Sequence, residues 1–350
     1  MDPQTGSPVE LALKRMAAGE GLGQQLAADA FGQLMRGEAT PAQTAGLLTG
    51  LRVRGETVDD VAGAVLALRG AMIRVEVTDR TALIDTCGTG GGTVPTFNIS
   101  TVAALVAAGA GAAVAKHGNR SYTSKCGSAD VLEALGVAIT LDAASGARLL
   151  PEVGMVFLFA PAFHPAMRFV APVRREIGIP TIMNLVGPLA NPALVNRQVV
   201  GVSDPDRGPL VAEVLSRLAA EHALVVHGDV GMDEIAPIGH TKIWEVRDGV
   251  VSSWTLDPAE YDLAIEDPTV LAGGMPADNA RRVERLLEQP TEDVAGRAAV
   301  VLNAGAALYV SGIVNTVAAG FELAKESLAS GAARSVLDRM RHRSDVSTSE

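Results

Sequence analysis

Leu83-Ile84-Asp85-Thr86-Cys87-Gly88-Thr89-Gly90-Gly91-Gly92, followed five residues on by Asn98-Ile99-Ser100-Thr101 and an alanine-rich run, decides the fold. Apolar residues end in Asp85, a glycine cluster breaks the chain, and small polar residues open a helix: strand, loop, helix. The order recurs downstream. Residues 112–115 read as a strand and 129–135 as a helix closed by Gly136. Residues 155–159, 198–202 and 223–226 read as further strands, with an amphipathic helix at 211–218. Residues 243–246 and 251–254 flank Asp248-Gly249, a short hairpin signal. Alternating strands and helices imply a mostly parallel central sheet flanked by helices.

The residues before Thr81 carry no strand alternation. Thr40-Pro41 reads as an N-cap with a first-turn proline, Gly55 closes that helix, and Thr57 with Asp60 opens the next as a capping-box variant. The expected architecture is α/β: a small all-helical N-terminal domain, residues 1–75, and a larger domain, 76–350. Residues 170–192 return to helix and proline-rich turn, so the small domain is expected to be discontinuous and to take them in. The uncharged stretch 298–321 is long enough to span a bilayer, but Asn303, Ser311 and three glycines interrupt it. Two buried helices meeting near Gly312 are expected there, and no membrane partner.

A chain of 350 residues fits about two domains. With 29 Lys+Arg against 40 Asp+Glu the net charge is −11, the wrong sign for a phosphate-backbone binder, so nucleic acid is not an expected partner. Two cysteines, Cys87 and Cys126, exclude a disulfide framework and suit a reducing, cytoplasmic setting. No signal peptide is visible at the amino terminus.

Four constellations carry candidate chemistry. The Gly88–Gly92 loop joins a strand to a helix and can bring backbone N–H groups close to an anion; a plain tight turn is the alternative. It is neither a dinucleotide fingerprint, since Thr93 stands where glycine is needed, nor a P-loop, since no Gly-Lys-Ser/Thr occurs. Lys116-His117-Gly118-Asn119-Arg120-Ser121, with Ser124, Lys125 and Ser128 beyond, can hold phosphate by charge and hydrogen bonds, or form a solvated basic turn. Asp233-Glu234 offers hard oxygen ligands suited to magnesium; most adjacent acidic pairs, as expected for Asp59-Asp60, are merely solvated. Arg174-Arg175 can clamp a carboxylate or form a surface pair with Glu176. His222 and His227, five apart on a strand, face opposite sides and suit zinc poorly, and Cys87 has no base tied to it.

Together, in this order, the segments resemble the anthranilate phosphoribosyltransferase family along nearly the whole chain. The carriers are the Gly88 loop, Asn98 to Thr101, Lys116 to Ser121, Gly127-Ser128-Ala129-Asp130-Val131-Leu132-Glu133-Ala134-Leu135-Gly136, Asn184 to Pro192 and Asp233-Glu234. The resemblance implies transfer of a phosphoribosyl group from phosphoribosyl pyrophosphate to the amino group of anthranilate, a step of tryptophan biosynthesis. By carry-over, Gly88, Gly91, Gly92, Thr96, Asn98, Ile99, Ser100, Thr101, Lys116, His117, Gly118, Asn119, Arg120, Ser121, Ser124 and Ser128 would hold phosphoribosyl pyrophosphate. Gly88, His117, Asn119, Arg174, Gly187 and Pro188 would surround anthranilate. Ser100, Asp233 and Glu234 would serve two magnesium ions, and Arg174, Asn119 and Lys116 would be the catalytic set. The resemblance also implies a homodimer joined through the helical domain.

Two positions depart from the family pattern. Gly92 stands where the loop usually ends in aspartate, which implies surviving activity with altered magnesium and substrate dependence. Cys126 stands where serine is common, a small exchange. The rival readings are a pyrimidine nucleoside phosphorylase of the same architecture and a non-catalytic, nucleic-acid-binding relative.

Overall fold

The computed structural model describes residues 6–80, 82–121 and 125–347. Four helices come first: Pro8–Ala17, Gln24–Met35, Pro41–Arg54 and Val58–Ala71. Their starts follow local chemistry. Ser7, Thr40 and Thr57 each accept a hydrogen bond from the backbone three residues on, and Glu10, Gln43 and Asp60 reciprocate to the cap. Asp60 also pairs with Arg54 and is fully buried, so Asp59-Asp60 is not the solvated pair its composition suggests. Capping and pairing draw Asp60 in.

Seven strands form one sheet in the order β3-β2-β1-β4-β5-β6-β7. They are β1 (Leu83–Gly88), β2 (Ala113–Gly118), β3 (Met155–Phe159), β4 (Arg197–Gly201), β5 (His222–Gly228), β6 (Thr241–Arg247) and β7 (Val250–Leu256). The first five run parallel; β6 and β7 are antiparallel, joined through Asp248-Gly249. The chain builds β1, β2 and β3 outward on one side, then returns to place β4 on the other side of β1. The carboxyl ends of β1 and β4 therefore flank a topological switch point, where open α/β sheets bind ligands.

Period-two alternation divides the sheet between two cores. Val199, Leu224 and Val226 join a large cluster with helices Ile99–Gly109 and Val294–Ser311. Val200, Ala223 and Val225, one residue out of step, join the cluster that contains the four opening helices, helix Gly208–Arg217 and residues 182–190. Helix Val294–Ser311 is apolar enough to cross a membrane by composition, yet most of it is buried against the sheet, and Gly312 ends it before Val317–Ala329 begins.

The return segment is pinned by Asn191. Its amide donates to Asp85 Oδ2 and to the Ala115 carbonyl, both at 2.8 Å, and accepts from Ala193 N–H at 2.8 Å. Asp85, fully buried, also accepts from His117 N–H at 3.2 Å. Each such group left unpaired would cost about 1–3 kcal/mol, so the network sets β1, β2 and the segment in one register.

Candidate active site

Gly88 ends β1 in register with Gly201 at the end of β4. The glycine loop leaves from there and is zipped to the loop after β5. Thr89 N–H donates to the Gly201 carbonyl at 2.8 Å, Gly90 N–H to Asp233 Oδ2 at 2.9 Å, and Thr93 N–H to the Gly231 carbonyl at 2.9 Å. Bare backbone is required: a Cβ on Gly88 would lie 2.6 Å from Asp233 Oδ2, and one on Gly201 only 1.6 Å from the Asp233 carbonyl oxygen. The loop and the acidic pair, 143 residues apart in the chain, thus form one structure.

Between them lies a cavity of about 40 Å³ lined by Cys87, Gly88, Ser100, Asp233, Glu234 and Asn303. That volume holds only a few water-sized groups. Burial pushes the Asp233 carboxyl above its usual range, opposed by the Gly90 hydrogen bond. Glu234 is pushed well up by burial and by the Asp233 charge, with Thr96 Oγ1 donating to it at 3.4 Å. Among the described residues neither carboxylate has an ion-pair partner. Two desolvated hard anions beside a hydroxyl therefore fit a divalent cation, which would offset their mutual repulsion. No cluster of three His, Cys, Asp or Glu side chains stands among the described residues, so water and substrate oxygens would complete such a shell, the habit of magnesium.

Ser100 sits in the first turn of helix Ile99–Gly109. The N-cap, Asn98, gives that helix no side-chain cap; its amide donates to the Cys126 carbonyl at 3.1 Å and accepts from Asn279 at 3.0 Å. The helix start therefore keeps its affinity for an anion. Ile99 and Thr101 are buried and contribute backbone there. Lys116 is almost wholly buried at 1% exposure. Its ammonium donates to the Thr86 carbonyl and, at 3.3 Å, to Ser100 Oγ. The amine thus reaches the cavity through Ser100 and does not extend into it, because the Asp85 carboxylate and the Thr86 oxygens hold it inside.

Asn119 and Gly118 follow on β2's edge. Asn119 is exposed; its carbonyl accepts from Ala129 N–H and Ser128 Oγ, both at 3.2 Å. The Arg120 guanidinium is taken up by Asp130 at 2.9 Å and Glu133 at 2.8 Å, so its charge is already matched. Ser121 N–H donates to Asp130 at 3.2 Å, and Ser124 lies outside the described residues.

Gly187-Pro188, a histidine pair and Arg174 lie beyond the end of β1, outside the lining of the cavity. Pro188's carbonyl accepts from Cys87 Sγ at 3.7 Å and from Gln198 at 3.2 Å, which seats Gly187-Pro188 against the end of β1. His117 Nε2 meets His164 Nε2 at 3.2 Å. Burial pushes their pKa values down to about 3 and about 4, the His164 ring adding to the effect on His117. Both rings are neutral at physiological pH, one donating to the other. Arg174, in helix Ala171–Ile177, donates to Asn184 Oδ1 at 3.3 Å, and Asn184's helix, Ile182–Val186, runs directly into Gly187. Asn184, Asn303, Asp85 and Asn191 were given no place in the site by the sequence. For Asn303 the available signal was an amide within the uncharged stretch that begins at Ala298.

Residues 80–334 match the glycosyl transferase family a/b domain, and residues 11–72 match the helical bundle domain of the same family. The anthranilate phosphoribosyltransferase of Laribacter hongkongensis is 47% identical over 332 residues, 94% of this chain and 96% of the relative. That of Symbiobacterium thermophilum is 48% identical over 332 residues, with the same coverage.

The chain belongs to the anthranilate phosphoribosyltransferase family.

The family fold agrees in detail. The crystal structure of the Thermus thermophilus enzyme superposes with a TM-score of 0.88 at 42% identity, covering 95% of this chain and 99% of that one. The Saccharomyces cerevisiae enzyme in complex with PRPP and Mg gives 0.90 at 26% identity, covering 98% and 99%. Gly92 lies close against the acidic loop. A Cβ there would lie 3.1 Å from both Asp233 Oδ1 and the Gly231 carbonyl. Gly92→Asp would thus set a third carboxylate beside the pair. It is expected to lower the magnesium concentration for half-maximal rate several-fold, because ligand charge count sets divalent affinity. Superimposable magnesium titrations of the two proteins would refute this.

Proposed function

We propose that the chain transfers the 5-phosphoribosyl group of phosphoribosyl pyrophosphate to the amino group of anthranilate, releasing pyrophosphate and giving N-(5-phosphoribosyl)anthranilate for tryptophan biosynthesis. The observation that carries the reading is the contact of Gly90 N–H with Asp233, which places the acidic pair against the phosphate-type loop. Ser100, Asp233 and Glu234 would hold magnesium, two ions per site. When bound, magnesium stabilises the charge developing on the departing diphosphate. The uncapped start of helix Ile99–Gly109 and the glycine-loop amides add donors to the same oxygens. Lys116 acts through Ser100 as a positioning charge, and Asn119, Ser121 and Ser128 frame the ribose side.

Attack by an aryl amine, uncharged at neutral pH, asks mainly for alignment. The neutral His117–His164 wall keeps a positive charge away from that nitrogen, and Arg174, oriented by Asn184, reads the carboxylate. Arg174→Ala is expected to raise the KM for anthranilate about 10–100-fold, the worth of a charge-assisted hydrogen bond, with the KM for phosphoribosyl pyrophosphate unchanged. Loss of anthranilate fluorescence under steady-state conditions measures both. An unchanged anthranilate KM would sink the assignment of Arg174. Phosphorolysis of a pyrimidine nucleoside with no reaction on anthranilate would sink the whole reading.

The domain division belongs to the same proposal: residues 1–75 with 170–192 added, against 76–350. It is supported by the buried cluster that residues 170–190 share with the opening helices. A homodimer joined through that helical part and a cytoplasmic setting, in keeping with two free cysteines, complete it.

A further inference from the structure

Asn303 lines the cavity, and the proposed chemistry gives it no part. It stands midway along helix Val294–Ser311, 5% exposed. Its amide makes a two-point pairing with a single backbone residue: Oδ1 accepts from Ile235 N–H at 3.0 Å, and Nδ2 donates to the Ile235 carbonyl at 2.9 Å. The remaining Nδ2 hydrogen goes to the Ala299 carbonyl at 2.9 Å, anchoring the amide to its own helix. One residue further on, Ala236 N–H donates to Thr241 Oγ1 at 3.0 Å.

Ile235 directly follows Glu234. The acidic pair is therefore held from both sides. The glycine loop grips Asp233 through Gly90 N–H, and Asn303 grips the backbone just beyond Glu234 from a helix packed on β1, β4 and β5. Packing alone does not account for an amide here: its neighbours in the helix are Leu302 and Ala304, both fully buried.

We infer that Asn303 is a positioning residue for magnesium binding, which fixes Asp233-Glu234 by clamping the Ile235 peptide groups. The inference rests on the metal role proposed for the pair. Supporting groups behind metal ligands change metal affinity or activity by about 10–100-fold when lost.

Two substitutions separate a hydrogen-bonding role from a space-filling one. Asn303→Leu keeps the branched outline and the number of side-chain heavy atoms and leaves both Ile235 groups unpaired. Asn303→Ala opens room in which water can bridge them. The clamp predicts that Asn303→Leu raises the half-saturating magnesium concentration about 10–100-fold, that Asn303→Ala raises it less, and that the anthranilate KM is unchanged in both. A filler role predicts the reverse order.

Backbone amide exchange of the full-length, metal-free protein gives a readout independent of turnover. Ile235 should lose protection in Asn303→Leu while the amides of β5 keep theirs. Should Asn303→Leu fail to fold, Asn303→Ala with its exchange profile decides. Wild-type magnesium dependence in a folded Asn303→Leu, a milder effect of leucine than alanine, or equal shifts for magnesium and anthranilate would each overturn the inference. If the unsubstituted protein does not consume anthranilate, the function proposed above fails on its own. Calorimetric titration of magnesium with phosphoribosyl pyrophosphate then still tests the clamp.

Discussion

The double variant Asp233→Asn, Glu234→Gln is expected to lose about 10³-fold or more in kcat/KM, and to melt at a higher temperature than the unsubstituted protein when magnesium is left out. The loss of rate follows from removing the anionic oxygens that would hold the divalent ion: several kcal/mol of charge stabilisation is several decades in rate. The gain in stability follows from burial. Both carboxyls lie above their usual range in the folded protein, with Glu234 raised further by the Asp233 charge. A raised folded value means that the folded chain binds these protons more tightly than the unfolded one does. The resulting penalty is absent below the ordinary carboxylate pKa, near 4, grows as pH rises towards the folded values, and is complete above them. Metal-free wild type should thus lose stability across that window, and the amide variant should not. Melting curves from about pH 4 to 8 test it. A double variant less stable than wild type at neutral pH would show that the pair is not electrostatically strained.

Gly201→Ala is expected to lower kcat/KM by about 100-fold in a protein that remains folded, since a displacement of about 1 Å at a reacting centre costs that much. The added Cβ would stand 1.6 Å from the Asp233 carbonyl oxygen; the Cβ is fixed by its own backbone and the oxygen is part of one, so neither can swing aside. Either the loop after β5 moves away from the glycine loop, or β4 slips against β1 and breaks the pairing of Gly201 with Gly88 and Thr89. Both routes carry Asp233 off position. Gly70→Ala is the control: nothing lies within 4 Å of a Cβ there, and its kinetics should not change. Full activity in Gly201→Ala would mean that the acidic loop need not sit where it does.

Much of the molecule was readable from local pattern. All seven strands, the capped starts at Thr40 and Thr57, the hairpin at Asp248-Gly249 and the helix break at Gly312 follow from periodicity and turn chemistry, which act over a few residues. Reading side-chain environment from composition failed where tertiary pairing intervened. Asp60 resembled a solvated charge until Arg54 folded over it. Lys116 belongs to a residue type seldom buried, and the oxygens of Thr86 and Ser100 that draw it inside come from β1 and the next helix. The ion pairs of Arg120 with Asp130 and Glu133, which reach it from the following helix, were likewise not legible in the sequence.

Sequence alone, then, determined which segments are strands and helices, where glycine lets the chain turn, and which family motifs occur in what order, because backbone preference is settled by near neighbours. Only the tertiary structure decided that Asp233 lies on the Gly88 loop, that Lys116 is buried behind Ser100, and that Asn184 meets Arg174 while Asn303 meets Ile235. Those facts depend on which charged and polar groups lose water together, and the Gly90–Asp233 contact alone joins segments 143 residues apart.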